Sequence, residues 1–181
     1  MLPNIAGIVY QILLISSLVV SAAVIIGAII WVILRTIKGK APCSKIIIII
    51  TFVSILVAAA AWLFNFGWIR FFMTFTGIPI IHGMVFFVSN MLFFSKYAKC
   101  SDKILKWNMI FSVSYPVSYM FLPDGGDYGG TYFLFGLIHN DNLSPVASFI
   151  SFAAFIVHVV FFVIQIVEVV KIKKDMSGKA G

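Results

Sequence analysis

Long, predominantly apolar runs, each about as long as a lipid bilayer is thick, make up most of this chain. They lie at positions 8–34, 46–64, 71–94, 107–122 and 146–170. A helix needs roughly 20 apolar residues to cross a hydrocarbon core of about 30 Å. A segment this apolar must satisfy its backbone hydrogen bonds internally, which in lipid an α-helix does. The pattern predicts an all-α integral membrane protein, built as a bundle of about five transmembrane helices.

Charge content supports lipid exposure over water exposure. The chain has 181 residues, of which 62% are hydrophobic and 10% charged, whereas an ordinary soluble domain has about 25% charged residues. So few charges cannot coat a water-soluble particle. We therefore expect a single polytopic domain over 1–181. The run at 107–122 is the shortest and contains three serines and Pro116, so we expect it to be shallow or kinked.

The cations indicate an orientation. Twelve of the thirteen Lys and Arg residues fall between the first and second runs, between the third and fourth, or after the fifth. Short loops rich in Lys and Arg stay in the cytoplasm. Five crossings place all three groups on one side and leave Arg70 as the single cation opposite. We predict an N-terminus outside, a basic cytoplasmic tail at 171–181, and the plasma (inner) membrane as the location.

The basic segments also suggest a partner. Lysines close to a cytoplasmic membrane surface attract anionic lipid headgroups, and we expect that role here. No basic stripe alternates with stacking aromatic residues, so binding of nucleic acid is not expected.

The longest polar interruption is predicted to be an irregular extracytoplasmic loop at 123–145. PDGGDYGG at 123–130 favours turns, while TYFLFGLIH at 131–139 is too short to span and suits an interfacial or re-entrant piece. An irregular loop on a rigid bundle is a common recognition surface; a plain connector is the alternative. The residues we expect to recognise a ligand or partner are Asp124, Asp127, Tyr128 and Asp141.

Polar residues also occur inside the apolar runs, where they should face other helices or a water-filled cavity. His82 and Asn90 share one face of the third run, while His158 and Gln165 share one face of the fifth, with Glu168 slightly to one side. Three interpretations stay open. In the first, the residues hold helices together. In the second, the two histidines face each other in a proton-responsive or cation-conducting path. In the third, they bind a metal, although no third ligand lies at the same depth.

No catalytic constellation, metal motif or cofactor motif is apparent. The glycine-rich loop lacks the GK[ST] ending of a phosphate site, and its aspartates lack the spacing of an EF-hand. We expect no metal and no cofactor. The expected function is that of a small non-enzymatic membrane subunit, an accessory, sensor or immunity/defence component recognising something at its extracytoplasmic face. It would assemble with itself or a protein partner. The alternative is an oligomeric channel or a proton-coupled carrier using His82 and His158.

Overall fold

The computed structural model describes residues 44–65, 67–98, 100–125 and 130–178. The predicted run at 8–34 lies outside these residues, and so do Asp127 and Tyr128 of the loop. The described chain is mostly helical, which confirms the all-α prediction. Its helices are α1 (Lys45–Phe64), α2 (Trp68–Thr76), α3 (Ile78–Tyr97), α4 (Asp102–Met120) and α5 (Ser144–Gly178). Two short strands, β1 (Tyr132–Phe133) and β2 (Ile138–His139), form an antiparallel hairpin before α5.

Three of the described helical segments are long and apolar enough to cross a membrane. They are α1, α3 and α5 with the 3-10 turn that precedes it, with mean hydropathies of 2.8, 1.7 and 2.6. The helix α4 is not among them. Its 19 residues include nine that are buried, four of them Asn or Ser, and it packs most extensively against α5 and α1. The buried Asn and Ser residues, which contribute to its low hydropathy, therefore face neighbouring helices, while Asp102, Lys103 and Lys106 near its start are exposed.

The predicted run at 71–94 is divided, which corrects the expectation of one continuous span. Gly77 ends α2 in the left-handed conformation with φ at 68°, which costs glycine little because it has no Cβ. Pro79 then lies in the first turn of α3, where a missing N–H is tolerated. The apolar unit of membrane length is Ile78–Tyr97, and it contains a π-helical turn at Ser89–Phe94.

The last helix is longer than the sequence predicts, because α5 continues to Gly178. The basic tail expected from residue 171 is thus helical over 171–178. The loop is also more regular than expected, since it contains the β1–β2 hairpin and a 3-10 turn at Asp141–Leu143. Asn140 caps that turn, its side-chain oxygen accepting hydrogen bonds from the N–H groups of Asn142 and Leu143 at 2.9 and 3.4 Å. This is how a polar residue starts a helix.

The bundle has two chemically different ends. The loop end carries the hairpin and residues 121–125. The lysine end is where α3 finishes and α5 emerges, and there Lys96 and Lys173 each place an ammonium group near the ring of Tyr97, at 5.5 and 5.9 Å from its centroid.

Candidate functional site: a buried ion pair above two polar layers

Arg70 is completely buried at the loop end of the bundle. Its Nη2 donates hydrogen bonds of 2.8 Å to the carbonyls of Tyr119 and Leu122, and its Nη1 donates one of 2.9 Å to the carbonyl of Asn65. The carbonyls in the last turn of a helix have no partner within that helix. Arg70 therefore caps the C-terminus of α4 from a neighbouring helix, where a positive charge is also favoured by the helix dipole.

Asp124 performs the opposite task for α2. Its Oδ1 accepts from the N–H of Ile69 and its Oδ2 from the N–H of Arg70, both at 2.9 Å. These N–H groups belong to the first turn of α2, which would otherwise leave them without acceptors. Asp124 is 1% exposed and its Oδ2 lies 3.3 Å from Arg70 Nη1. We call this reciprocal arrangement the Arg70–Asp124 lock: each helix end is capped by a residue outside its own helix.

The electrostatics of the lock combine two opposing effects. Burial lowers the pKa of Arg70 from its ordinary value, and the charge and hydrogen bond of Asp124 raise it again. Arginine is so basic that its guanidinium stays protonated in proteins. The lock is therefore an ion pair held away from water.

Gly67 allows the lock to close. The N–H of Trp68 donates to the carbonyl of Gly125 at 3.0 Å, which brings the two segments close together. A Cβ on Gly67 would stand 2.5 Å from Asp124 Oδ1 and 2.7 Å from the carbonyl oxygen of Gly125. The requirement for glycine here is close approach, because its φ of −143° is open to any residue.

Two of the residues discussed in the sequence analysis meet in the lock. Arg70, predicted to be the single cation on the extracytoplasmic side, and Asp124, predicted to be a recognition residue of the loop, are buried against each other, so the Asp124 carboxylate is not accessible to a partner. Asp141, by contrast, is exposed, and its Oδ1 accepts a hydrogen bond of 2.6 Å from the N–H of Thr131. Of the four loop residues predicted to recognise a partner, Asp141 alone is both described and accessible.

The hairpin is fastened onto the bundle. Asp124 and Tyr132 exchange two backbone hydrogen bonds of 3.0 and 2.8 Å, and the N–H of Leu134 donates to the carbonyl of Met120 at 2.8 Å. Phe133 is buried, while Leu137 at the turn is 78% exposed. The hairpin thus has one face packed on the loop end and one apolar side chain directed away from it.

Directly beneath the lock lies a histidine layer. The rings of His82 from α3 and His158 from α5 are edge to face, with centroids 4.9 Å apart. His82 Nδ1 is 2.8 Å from the hydroxyl of Tyr119. His158 Nδ1 is 2.9 Å from the carbonyl oxygen of Phe111, and because a carbonyl can only accept, this nitrogen carries a proton. The two histidines that the sequence placed on separate helix faces are brought together.

Aromatic rings fill the space around the histidines. Phe86 stacks on Tyr115 with centroids 4.2 Å apart, and Phe111 stacks on His158 at 4.1 Å. Phe86 and Phe111 are both fully buried. The histidine layer therefore sits in packed aromatic surroundings.

An amide layer lies further toward the lysine end. Asn108 Nδ2 donates to Asn90 Oδ1 at 2.5 Å and to Gln165 Oε1 at 3.1 Å, and Ser112 Oγ donates to Asn108 Oδ1 at 3.3 Å. The layer joins α3, α4 and α5. Glu168 is partly exposed, and the described residues show no hydrogen bond from it to this layer. Asn90 and Gln165 are thus neighbours as the sequence suggests, but the residue that connects them, Asn108, was missed.

Pro116 explains why α4 bonds to its neighbours. A proline has no N–H, so the carbonyl four residues earlier, that of Ser112, loses its partner within the helix. The hydroxyl of Ser54 on α1 donates to this carbonyl at 2.8 Å. The hydroxyl of Ser151 on α5 likewise donates to the carbonyl of Ser118 at 2.6 Å. Pro116 and the serines of α4 stand out in the sequence. Ser54 of α1, which donates to the carbonyl that Pro116 leaves without a partner, does not.

Comparisons with known proteins add nothing to this geometry: no family model, no curated protein and no solved structure matches the chain. Within residues 44–65, 67–98, 100–125 and 130–178, no three His, Cys, Asp or Glu residues are grouped so that they could hold a metal ion.

Proposed function

We propose that this chain is a non-enzymatic multi-pass membrane protein that holds a fixed extracytoplasmic surface for a protein partner. Support for membrane insertion comes from the apolar side chains that the bundle leaves uncovered. Phe149 and Phe152 of α5 are 72% and 64% exposed, and Ile49 of α1 is 61% exposed. Soluble proteins rarely expose contiguous apolar surface on this scale, whereas hydrocarbon needs no polar cover.

Five crossings remain the arrangement that we favour. The 19 residues of α4 extend about 28 Å at 1.5 Å per residue, close to the thickness of the hydrocarbon core. Its polar side is covered by α1 and α5, so its low hydropathy is compatible with a central position in a membrane bundle. With the run at 8–34, this orientation puts the loop end outside and the lysine end in the cytoplasm, beside anionic lipid headgroups.

The lock is the observation that carries the recognition role. Taking two charges out of water is costly, and apolar residues of similar size are often as stable in their place. A segment that merely connects two helices could cap their ends with neutral side chains and would not need a buried pair of full charges. The lock instead selects one arrangement of the segment at 121–125 and, through the hairpin bonds, of the surface that carries Leu137 and Asp141. Preorganising a surface in this way lowers the entropic cost of binding.

The packing favours recognition over conduction. The histidine layer and the amide layer both contain groups that could carry protons, but Phe86 and Phe111 are fully buried among them. Tight aromatic packing favours helix association over a hydrated path. The catalytic alternative has less support. An active site needs convergent nucleophilic or ionisable groups beside space for a substrate, and the histidines and tyrosines that converge in the histidine layer are packed against aromatic rings instead.

A photo-crosslinking residue at position 137 tests the proposal in native membranes. We expect a protein adduct of one defined mass, which disappears when excess unlabelled purified chain is added. The same crosslinker at Val163, an exposed apolar position in the middle of α5, should give lipid adducts only. Equal adducts from both positions, or lipid adducts from both, would overturn the recognition role.

Compartment reporters fused at positions 137 and 178 should report opposite sides; a shared side would overturn the orientation.

A further inference from the structure

Tyr119 belongs to both the lock and the histidine layer. Its carbonyl oxygen accepts the 2.8 Å hydrogen bond from Arg70 Nη2, and its hydroxyl lies 2.8 Å from His82 Nδ1. Trp62 of α1 packs against the same residue with ring centroids 5.7 Å apart, and also lies 5.7 Å from the guanidinium carbon of Arg70. One residue therefore contacts both clusters, His82 through its side-chain hydroxyl and Arg70 through its backbone carbonyl.

Among the residues that the structure describes, none that contacts the histidine layer carries a negative charge to balance a bound proton. The groups facing His82 are Tyr115 and Tyr119 from α4 and Phe155 and His158 from α5. Phe86, Phe111 and Tyr115 line the other sides of His158. Among the described residues the nearest charges with a bonded route to the layer are Arg70 and Asp124, reached through Tyr119. A proton bound here is thus an isolated cation among aromatic rings.

Proton binding would change the hydrogen bonding of His82. A neutral imidazole has one donor and one acceptor nitrogen, while the protonated ring has two donors. His82 Nε2 is buried and has no hydrogen-bond partner among the described residues, so in the charged ring it would be a donor with no acceptor. The charged form is therefore favoured by an opened layer, in which water or an anion reaches the ring. The hydroxyl of Tyr119, which lies against Nδ1 of His82, is the contact through which such an opening would reach the lock.

We propose that His82 and His158 together form a proton-binding site that controls the extracytoplasmic surface: binding a proton opens the histidine layer, displaces Tyr119 and loosens the Arg70–Asp124 lock. The pair titrates as one unit because the two rings touch. This inference rests on the proposed function, since it assigns a regulation to the surface that the lock holds in place.

Hydrogen exchange of the segment at 121–141 tests the coupling in full-length protein in lipid nanodiscs. Rates are measured between about pH 8 and about pH 5, the range in which histidine charge ordinarily changes, and are divided by those of the unfolded chain at the same pH. We expect protection of this segment to fall as the pH is lowered. If the loosened form binds one extra proton, the fall is at most about tenfold per pH unit.

Three variants identify the source of the change. His82→Phe with His158→Phe keeps aromatic rings in the layer and should remove the pH dependence. Tyr119→Phe removes one oxygen atom and keeps the ring, so the histidines can still titrate while protection at 121–141 becomes independent of pH. His139→Gln is the matched control, because His139 is exposed on the hairpin, and it should respond as the unmodified protein does.

Two results would overturn the proposal. One is protection in the unmodified chain that does not change with pH; the other is an acid response that persists in Tyr119→Phe. If the double histidine variant fails to fold, the Tyr119→Phe result decides. The crosslink from position 137, measured in Tyr119→Phe at neutral pH, separates the two proposals, because it should persist if recognition is correct even when the proton coupling is absent.

Discussion

The lock and the amide layer are both buried polar clusters, but they solve different problems. The lock joins helix ends, where backbone groups lack partners, and uses full charges. Arg70 caps the end of α4 next to Asp124, and Asp124 caps the start of α2, which contains Arg70, although 54 positions separate the two residues. The amide layer joins the middles of three helices, where backbone groups are already satisfied, and uses neutral side chains only.

This difference sets the cost of breaking each cluster. Removing one partner of a buried ion pair leaves an uncompensated charge, which typically costs about 3–5 kcal/mol. Removing one amide between membrane helices loses hydrogen bonds that average about 0.6 kcal/mol each and reach about 1.7 kcal/mol. Substitution of one member should therefore destabilise the lock, which fixes one arrangement, much more than it destabilises the amide layer, which adds modest stability.

The largest effect is expected for Asp124→Ala. It leaves the buried Arg70 guanidinium without its carboxylate and two N–H groups of α2 without acceptors, so unfolding free energy should fall by about 3–5 kcal/mol. Unfolding by SDS in mixed micelles measures it. Asp175→Ala, which removes an exposed carboxylate near the end of α5, is the control and should change little. A loss no larger for Asp124→Ala than for the control would mean that the lock is not an energetic unit.

Gly67→Ala attacks the same cluster without changing any charge. The added Cβ would meet Asp124 Oδ1 at 2.5 Å, and we expect a loss of about 1–3 kcal/mol, typical of overpacking. Gly178→Ala is the matched control, because a Cβ there meets nothing within 4 Å. Equal stability of the two variants, measured by the same SDS titration, would show that the segments at 67 and 124–125 do not approach as closely as described.

Asn108→Leu tests the amide layer. It keeps side-chain volume and removes the donor to Asn90 and Gln165, so we expect a loss of about 1–2 kcal/mol. Met109→Leu, an exposed change at the next position of α4, should be neutral. A loss as large as that of Asp124→Ala would remove the distinction between the two clusters.

The smallest effect is expected when both members of the lock are replaced together. Arg70→Met with Asp124→Leu removes the cost of holding two charges away from water and also removes the caps of two helix ends, and because these two effects offset each other, stability should change by less than about 1 kcal/mol. Hydrogen exchange at 121–141 should nevertheless speed up, because the caps are gone. Unchanged exchange would show that the ion pair does not fix the loop.

Local periodicity was sufficient for the features that lie within one helix. The position of α1 and the faces carrying His82, Asn90, His158 and Gln165 follow from apolar runs and a 3.6-residue repeat. Tyr115 and Tyr119, four residues apart, lie side by side as that repeat predicts, with ring centroids 5.4 Å apart.

Contacts between distant segments could not be predicted in the same way. Arg70 counts as a topology marker when charges are tallied along the chain, and Asp124 as a turn former, because nothing local connects residues 54 positions apart. Asn108 was passed over at the edge of a predicted span. One clue was present: Arg70 is the single cation predicted for its side, and the adjoining loop contains three of the six carboxylates, so a pair between them could have been expected.

The length of α5 has a structural consequence. Its 35 residues measure about 52 Å at 1.5 Å per residue, whereas a bilayer core is about 30 Å thick. In the proposed membrane orientation, about 20 Å of the helix extends beyond the hydrocarbon core. The helix begins directly after the hairpin, and its far end bears Lys171, Lys173 and Lys174. One continuous helix therefore joins the loop end of the bundle to a projecting basic end.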